Sequence, residues 1–432
     1  MPNATAVAPQ VRTRAVTSWV LYDLANTIFS MGVISMFFPL WVRQEVGVTH
    51  ADAIVGTVTA ISMALIFVVS PIIGSMTDRA QRRLPFLTVS TVLCVMFTAL
   101  MGHIGWSGTL IGFILANACY QAGQQFYDAL LPSVSTPETR GKISGIGVGV
   151  GYVGSFFAIA LSLLGPRLGL PIPSLFFCVA VLFLVFSIPC FLWVDESVNH
   201  HPGRIWSLKE TRLSLARTLS TLRSASEYPG LMRFLVGRLF YTDPINTVIA
   251  IMTLYAVNVA QTSGIDRADA TKVASLVMLG AVVFAIAGGL IAGRLVDRFG
   301  ARRVLGWVLA LWAVTFVLAA SLGLFQLPWR WLWLVSALAG IALGGTWSAD
   351  RPLMLELTPQ ERLGEFYGLY GMVGRFAAIV GPAIWAICMS LGQAAGFATL
   401  RAQGGSILVL LVLIGVAAVI LHPLKNAQPS RR

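Results

Sequence analysis

Two polar segments of the sequence repeat each other inside long apolar runs. They place an Asp, an Asn and a Thr at the same spacing, 220 residues apart: Asp23, Asn26 and Thr27, then Asp243, Asn246 and Thr247. On a helix, each set shares one face. Inside a membrane a carboxylate can bind a proton or Na⁺, and amide and hydroxyl groups can hydrogen-bond a polar solute. The pattern predicts ion coupling at the two Asp residues and substrate contacts at the Asn and Thr residues.

A cation lies deep in another apolar run. Arg375 lies 11 residues beyond the start of the run 364–391, which places it ~16 Å deep, close to the bilayer midplane. Because a guanidinium does not lose its proton, Arg375 needs an anion there, either an Asp or a substrate carboxylate. Tyr367 lies on a nearby face of the same helix. We predict that Arg375 and Tyr367 contact the substrate.

The same residues also have a purely structural interpretation. If the two repeated Asp residues pair with Arg238 and Arg375, they only hold helices together, and Asn and Thr routinely form hydrogen bonds between membrane helices. We favour function for the two Asp residues, because ionisable groups inside membrane spans are mostly functional. Arg238 lies nearer the end of its run, so we expect its side chain to reach the cytoplasmic interface.

The fourth apolar run contains a continuous polar stripe. Its members are Asn117, Gln121, Gln124, Gln125 and Asp128. A polar stripe is implausible against lipid, so it should face a cavity or a neighbouring helix. We predict that Gln121 and Gln124 contact the substrate. Asp128 falls at the end of the run, and we expect it, like Asp350 in the second half, to pair with arginines of the cytoplasmic rim.

Composition predicts an all-α membrane protein. Of 432 residues, 56% are hydrophobic and 11% are charged, whereas soluble domains carry about 25% charged residues. Apolar runs of ~20 residues recur along the chain and predict twelve transmembrane helices. The predicted spans are 17–42, 53–77, 85–104, 108–131, 143–165, 174–194, 232–259, 272–296, 303–325, 331–350, 364–391 and 404–424. The polar start of the chain lacks the apolar core of a cleaved signal peptide.

The Lys and Arg residues that give the chain its net charge of +12 are distributed unevenly between alternate loops. Most of them, with Arg351 counted among the loop residues, fall on one side of the predicted membrane. The positive-inside rule then places both termini in the cytoplasm and the chain in the cell membrane as a multi-pass protein. Because topology explains the basicity, we predict no nucleic-acid partner.

The polar repeat belongs to a longer one. Each half carries a G-x-x-x-D-R pattern followed by paired arginines, at 74–83 and at 293–303. Such parallel repeats predict two pseudosymmetric six-helix bundles, 1–194 and 232–432, joined by a cytoplasmic linker, 195–231, with an amphipathic helix. We expect Asp78 and Asp297 to face helix N-termini in another part of the fold. Glycines in the fifth and eleventh runs should allow close helix packing and rocking.

These features together resemble the major facilitator superfamily. More narrowly, the segments LYDLANTIFS, FYDALLPSVSTPETRGKISGIGVGVGYVGS and FYTDPINTVIAIMTLYA are similar to bacterial relatives of the vacuolar amino-acid effluxer family involved in autophagy. The glycoside–cation symporters are similar as well, since they carry an Asp and an Asn in the first span. The superfamily resemblance implies alternating access around a central site, with a cytoplasmic latch at the repeated charged pattern.

The residues predicted to form this cytoplasmic gate lie in or near the repeated pattern. They are Gly74, Asp78, Arg79, Arg82, Arg83, Asp128, Arg140, Gly293, Asp297, Arg298, Arg302, Arg303, Asp350 and Arg362. A static topological anchor is the alternative interpretation. We favour the latch, because the same set of charges occurs in both halves.

The sequence therefore predicts a secondary active transporter of the major facilitator fold, working by rocker-switch alternating access. The predicted solute is small and polar or zwitterionic, an amino acid or peptide first, with H⁺ or Na⁺ as a coupling ion. A cation-coupled sugar or glycoside symporter is the alternative, and a non-transporting membrane sensor or scaffold is the alternative of another class. We predict a monomer with no enzymatic activity, no cofactor and no metal site.

Overall fold

The computed structural model describes residues 12–80, 82–196, 228–359 and 362–424, and these residues are predominantly helical. The first half of the chain contains α1 (Thr13–Phe29), α2 (Phe38–Val46), α3 (Val48–Arg79), α4 (Leu84–Leu100), α5 (Gly105–Ala129), α6 (Leu131–Val134), α7 (Arg140–Arg167) and α8 (Ile172–Trp193). The second half contains α9 (Pro229–Thr262), α10 (Arg267–Phe299), α11 (Ala301–Phe325), α12 (Leu332–Leu357), α13 (Leu363–Ala394) and α14 (Thr399–Leu421).

A helix coincides with each of the apolar runs found in the sequence. Within the described ranges, nine helical stretches are long and apolar enough to cross a membrane: Thr13–Val46, Ala53–Arg79, Arg140–Arg167, Ile172–Trp193, Gly230–Thr262, Arg267–Phe299, Ala301–Phe325, Trp329–Leu357 and Thr399–Leu421. Large apolar side chains such as Val68, Leu192 and Val419 point outward from the bundle. Such a surface suits lipid and not water. The amphipathic helix predicted in the linker lies outside the described residues.

The first span is interrupted by a wider helical turn. Between α1 and α2 the residues Ser30–Phe37 form a π-helix, directly after the polar segment that contains Asp23 and Thr27. Wider turns of this kind recur at functional sites, because they re-aim the side chains that follow. Pro39 at the start of α2 lacks a backbone N–H, which helps to end the π-helical stretch.

The two halves approach each other closely through glycines. In one contact α3 meets α13, where the backbones of Gly74 and Gly364 touch. In the other, α7 meets α10, and a Cβ on Gly145 would lie 2.7 Å from the Cα of Gly293. Real Cβ atoms do not approach backbone so closely, so any larger residue would push the helices apart. Both contacts lie at the end of the bundle that carries the paired arginines, which we call the basic end.

Two carboxylates cap helices across the halves at the basic end. Asp78 accepts hydrogen bonds from the backbone N–H groups of Gly364 (2.6 Å) and Glu365 (2.8 Å), in the first turn of α13. Asp297 accepts from Gly141 (2.7 Å) and Lys142 (2.9 Å), in the first turn of α7. A helix N-terminus leaves its first N–H groups free and carries partial positive charge, so it favours a carboxylate. The expected pairing of these acids with helix N-termini is confirmed.

A third carboxylate connects the end of the first half to this region. Glu196 accepts hydrogen bonds from the backbone N–H groups of Arg83 (2.5 Å) and Leu84 (2.9 Å), where α4 begins. Burial raises the pKa of the Glu196 carboxyl, and the hydrogen bonds oppose that rise. The Arg83 side chain in turn donates to Asp78 at 3.2 Å. The start of the linker is thus connected through Arg83 to the cap on α13.

The remaining predicted gate residues have varied surroundings. Arg79 and Arg298 lie in the last turns of α3 and α10, Arg140 begins α7, Arg82 lies in the loop before α4, and Arg303 lies in α11. Arg302 donates to the backbone oxygen of His422, and Arg362 donates to Glu365 at 2.8 Å. Asp128 and Asp350 lie elsewhere, in the interior of the bundle.

A candidate solute-binding cavity

A cavity of about 490 Å³ lies between the two halves. It is lined from α1, α3, α5 and α7 on one side and from α9, α12 and α13 on the other. Its polar and aromatic lining residues are Asp23, Thr27, Ser30, Tyr120, Gln121, Gln124, Gln125, Asp128, Tyr152, Arg238, Thr242, Asn246, Trp347, Arg351, Tyr367, Tyr370 and Arg375. The size and the concentration of polar groups are those of a binding site for a small polar molecule.

An arginine shared by two aspartates joins the halves inside this cavity. The guanidinium of Arg351, on α12, donates from Nη1 to Asp23 Oδ2 at 2.9 Å and from Nη2 to Asp23 Oδ1 at 3.3 Å. Its Nε lies 2.9 Å from Asp128 Oδ1 on α5, but the angles at this contact do not form a hydrogen bond. Asp23 therefore holds Arg351 through a two-pronged pair, whereas Asp128 has only ion-pair proximity.

Aromatic rings and glycines enclose the shared arginine. The rings of Trp19 and Tyr127 stack with centroids 4.5 Å apart, and the Arg351 guanidinium lies 5.4 Å from the Tyr127 centroid. On the other side of Asp23, a Cβ on Gly151 would lie 3.3 Å from the carboxyl carbon. These groups limit the access of water to the pair, which strengthens its electrostatic interaction.

A second buried arginine is fully paired. Arg238 on α9 is 5% exposed and donates from Nε to Asp350 Oδ2 at 3.0 Å. Asp350 also accepts hydrogen bonds from Tyr370 (2.6 Å) and from Tyr241. The expectation that Arg238 reaches the interface is wrong, because Asp350 supplies an anion within the bundle. This cluster balances its own charge.

The structure likewise corrects the interpretation of Asp128 and Asp350 as partners of the rim arginines. Both are buried, and their cationic neighbours are Arg351 and Arg238. The predicted span ended at residue 350, but α12 continues to Leu357, so Arg351 is a residue of the helix and not of a loop. The apolar run Pro-Leu-Met-Leu after Arg351 is the signal that could have identified it.

Arg375 is the third arginine of the cavity, and it lacks a carboxylate partner. Its Nη1 donates to Ser70 Oγ at 2.9 Å and its Nη2 donates to the backbone oxygen of Gln121 at 3.0 Å. Its Nε is buried without an acceptor, and among the described residues no carboxylate oxygen forms a salt bridge with it. Arg375 is 5% exposed, and its remaining accessible surface faces the cavity.

The predicted amide and hydroxyl contacts are largely brought together here. Thr27, Gln121, Gln124, Asn246 and Tyr367 all line the cavity. The hydroxyl of Tyr367 is buried without a hydrogen-bond partner in the described structure. Asn26 lies behind this layer, where its amide donates to Gln124 Oε1 at 2.9 Å. Asn26 therefore positions a lining residue and does not itself line the cavity.

The second copy of the polar repeat turns a different side of its helix toward the cavity. In α9 the residues that line the cavity are Arg238, Thr242 and Asn246. Thr242 and Asn246 lie one position before Asp243 and Thr247, which corresponds to a rotation of ~100° about the helix axis. Asp243 and Thr247 instead abut α13, where a Cβ on Gly381 would lie 2.9 Å from Asp243 Oδ1. Asp243 is 4% exposed. Neither of its carboxyl oxygens has a hydrogen-bond partner of adequate geometry among the described residues, although the Gly381 backbone lies nearby.

Comparison with known proteins identifies the family. The model of the vacuole effluxer Atg22-like family matches residues 42–428, most of the chain. The chain belongs to this Atg22-like family. The MFS-type transporter YxiO of Bacillus subtilis is 26% identical over 95% of this chain and 95% of its own length. Autophagy-related protein 22 of Gibberella zeae is 25% identical over 57% of this chain, which spans 40% of that longer protein.

Solved structures place the Atg22-like chain in the major facilitator fold. The human organic anion transporter MFSD10 superimposes with a TM-score of 0.72 at 14% identity, covering 96% of this chain and all of that one. The proton:xylose symporter XylE superimposes with a TM-score of 0.68 at 16% identity, covering 96% and 95%. The match to the Atg22-like family model and the similarity to the MFS-type transporter YxiO identify the chain as a secondary transporter of the major facilitator superfamily and not an enzyme. The resemblance noted in its sequence is confirmed.

Proposed function

We propose that this transporter moves a small zwitterionic solute, with amino acids first and short peptides second. Arg375 carries the proposal. A buried cation without a carboxylate partner costs several kcal/mol in protein interiors, and here it faces a cavity of about 490 Å³. A solute carboxylate would supply the missing anion and accept a fork of hydrogen bonds from the guanidinium. Gln121, Gln124 and Asn246 supply further hydrogen bonds.

The proposed mechanism is rocker-switch alternating access between two six-helix halves, in a twelve-span arrangement with both termini in the cytoplasm. The Asp78 and Asp297 caps and the glycine contacts hold the halves together at the basic end. Rocking the halves apart would break all of these contacts in one movement, which is what a latch requires. The same end carries the paired arginines of both halves, so it would face the cytoplasmic side of the cell membrane.

We further propose that a proton or cation couples to transport at an Asp of the repeat. Asp23 is held by Arg351 at 2.9 Å, so a cation would have to displace a guanidinium. Asp243 has no such partner, and a buried carboxylate without one is neutralised by a proton or a bound ion. This contrast favours Asp243 for the coupling ion and Asp23 for joining the halves of what we take to be a monomer.

The substrate proposal predicts binding that depends on Arg375. In a thermal-shift screen of the purified protein, at least one of the L-α-amino acids should raise the unfolding temperature, because a ligand of the folded state stabilises it. Arg375→Gln should weaken that binding ~10- to 150-fold, the equivalent of 1.5–3 kcal/mol for hydrogen bonds to a charged group. Arg375→Lys should retain part of the affinity, because it keeps the charge but loses the fork.

The matched control is Arg401→Gln, which removes an exposed arginine at the start of α14 and should leave binding unchanged. Amides of the same amino acids lack the carboxylate and should bind the wild-type protein no better than they bind Arg375→Gln. If sugars bind and no amino acid does, the glycoside symporter is the better description. If amino acids bind equally well to Arg375→Gln, the role given to Arg375 is wrong.

A further inference from the structure

We infer that Asp128 receives the ammonium end of the solute, so that the cavity binds a zwitterion in one orientation. This inference rests on the proposed function, in which Arg375 binds the carboxylate. It concerns a residue that the sequence assigned to the cytoplasmic rim. Three features of the cavity support it: the charge balance around Arg351, the surroundings of Asp128, and the position of Asp128 relative to Arg375.

The charges around Arg351 do not balance. Two carboxylates, Asp23 and Asp128, share one guanidinium, and Asp23 takes both of its Nη groups at 2.9 and 3.3 Å. Asp128 is left with a 2.9 Å contact to Nε that lacks hydrogen-bond geometry. The group as a whole therefore has one surplus negative charge. A buried surplus charge is stabilised by a cation that enters the cavity and hydrogen-bonds to it.

Asp128 is built into the cavity as a cation acceptor. It is 8% exposed and lines the cavity. Its Oδ1, which is buried beside Arg351 Nε, accepts no hydrogen bond. The rings of Tyr120, Tyr152, Tyr367 and Trp347 line the same cavity. Aromatic faces attract an ammonium group through their quadrupole, most strongly where water is excluded. A carboxylate among aromatic rings matches an organic ammonium better than a small, strongly hydrated metal ion.

Both charged groups lie against α5, at a spacing that suits a small zwitterion. Arg375 contacts the backbone of Gln121, and Asp128 lies seven residues further along α5. Seven residues correspond to about two turns, or ~10 Å. An ion pair occupies ~3 Å at each end, which leaves a few ångströms for the solute. An unpaired cation and a surplus anion thus face each other across a space of amino-acid size.

The test compares each amino acid that binds with two derivatives of it: the N-acetyl form, which lacks the ammonium, and the amide, which lacks the carboxylate. The wild-type protein should bind the N-acetyl form at least ~10-fold more weakly than the parent amino acid, the equivalent of one charged hydrogen bond. In Asp128→Asn that difference should disappear, while the difference between amino acid and amide remains. Asp128→Glu should keep the preference for the ammonium.

Two further variants distinguish an effect of charge from an effect of misfolding. Asp23→Asn leaves Arg351 to Asp128 alone, which neutralises the surplus charge without altering Asp128, and should also abolish discrimination against the N-acetyl form. Asp269→Asn, at an exposed carboxylate that pairs with Lys272 at 2.7 Å, should change nothing. Unfolding temperatures without ligand show whether each variant is folded.

Three results would overturn the inference. If Asp128→Asn and Asp23→Asn still reject the N-acetyl form, the ammonium binds elsewhere, and the role of Arg375 stands. If Asp128→Asn changes only the pH dependence of binding, Asp128 holds a proton and not the solute. If no amino acid, amide or N-acetyl form binds the wild-type protein, the proposed function fails, and the inference fails with it.

Discussion

Replacement of Arg351 by glutamine is expected to destabilise the protein by about 3–5 kcal/mol, because removal of one partner leaves buried charge without compensation. Here two carboxylates, Asp23 and Asp128, would lose their shared cation at once. Asp23 is 6% exposed and Asp128 is 8% exposed, so the little water that reaches them replaces the guanidinium only in part. The measurement is the unfolding temperature of the purified protein in detergent, which should fall sharply relative to the wild-type protein.

A second substitution separates charge from packing in this experiment. The double variant Asp23→Asn, Arg351→Gln removes one of the two carboxylates that lost their cation. It should therefore be more stable than Arg351→Gln alone, although it carries one substitution more. The control is Lys272→Gln, which breaks an exposed pair with Asp269 and should leave the unfolding temperature nearly unchanged. Equal losses for Arg351→Gln and Lys272→Gln would mean that the shared arginine does not hold the halves together.

Substitution of Gly145 by valine should prevent closure of the basic end. A Cβ at this position would lie 2.7 Å from the Cα of Gly293 on the facing helix, and backbone cannot move aside as a side chain can. The halves must then separate, which exposes the amides that Asp78 and Asp297 now bind. Transport should fall at least ~10-fold, since one of the two end states is lost.

Amide hydrogen exchange measures this separation of the halves directly. Peptides that contain Gly141 and Lys142, and those that contain Gly364 and Glu365, should exchange faster in Gly145→Val because their capping carboxylates have moved away. The matched control is Gly415→Val in α14, where a Cβ would meet no atom within 4 Å. Unchanged exchange at both helix N-termini in Gly145→Val would show that the glycine contact is not needed for closure.

The sequence predicted the helices and the class of protein well, because both depend on local properties. Long apolar runs require helices in lipid, and the repeated charged pattern correctly indicated that Asp78 and Asp297 meet helix N-termini. Most charged residues of the cavity could also be recognised in the sequence, because a carboxylate or an arginine inside an apolar run is rare.

The pairing of charged residues, and the direction in which each helix face points, could not be predicted in the same way. Asp23 and Arg351 are 328 positions apart, so their pairing depends on how two halves pack and not on any local pattern. The repeat in α9 keeps the spacing of Asp243 and Thr247, yet a rotation by one residue turns them away from the cavity. Spacing fixes which residues share a face of a helix, and tertiary packing decides where that face points.

We propose that this chain carries a zwitterionic solute across the membrane through a cavity in which Arg375 binds the solute carboxylate. Counterflow in proteoliposomes tests it most directly, since exchange of labelled for unlabelled solute needs no knowledge of the coupling ion. Vesicles loaded with an unlabelled amino acid should transiently accumulate the labelled one, and Arg375→Gln should abolish this accumulation. No exchange of any amino acid by a folded wild-type protein, or equal exchange by Arg375→Gln, would contradict the account.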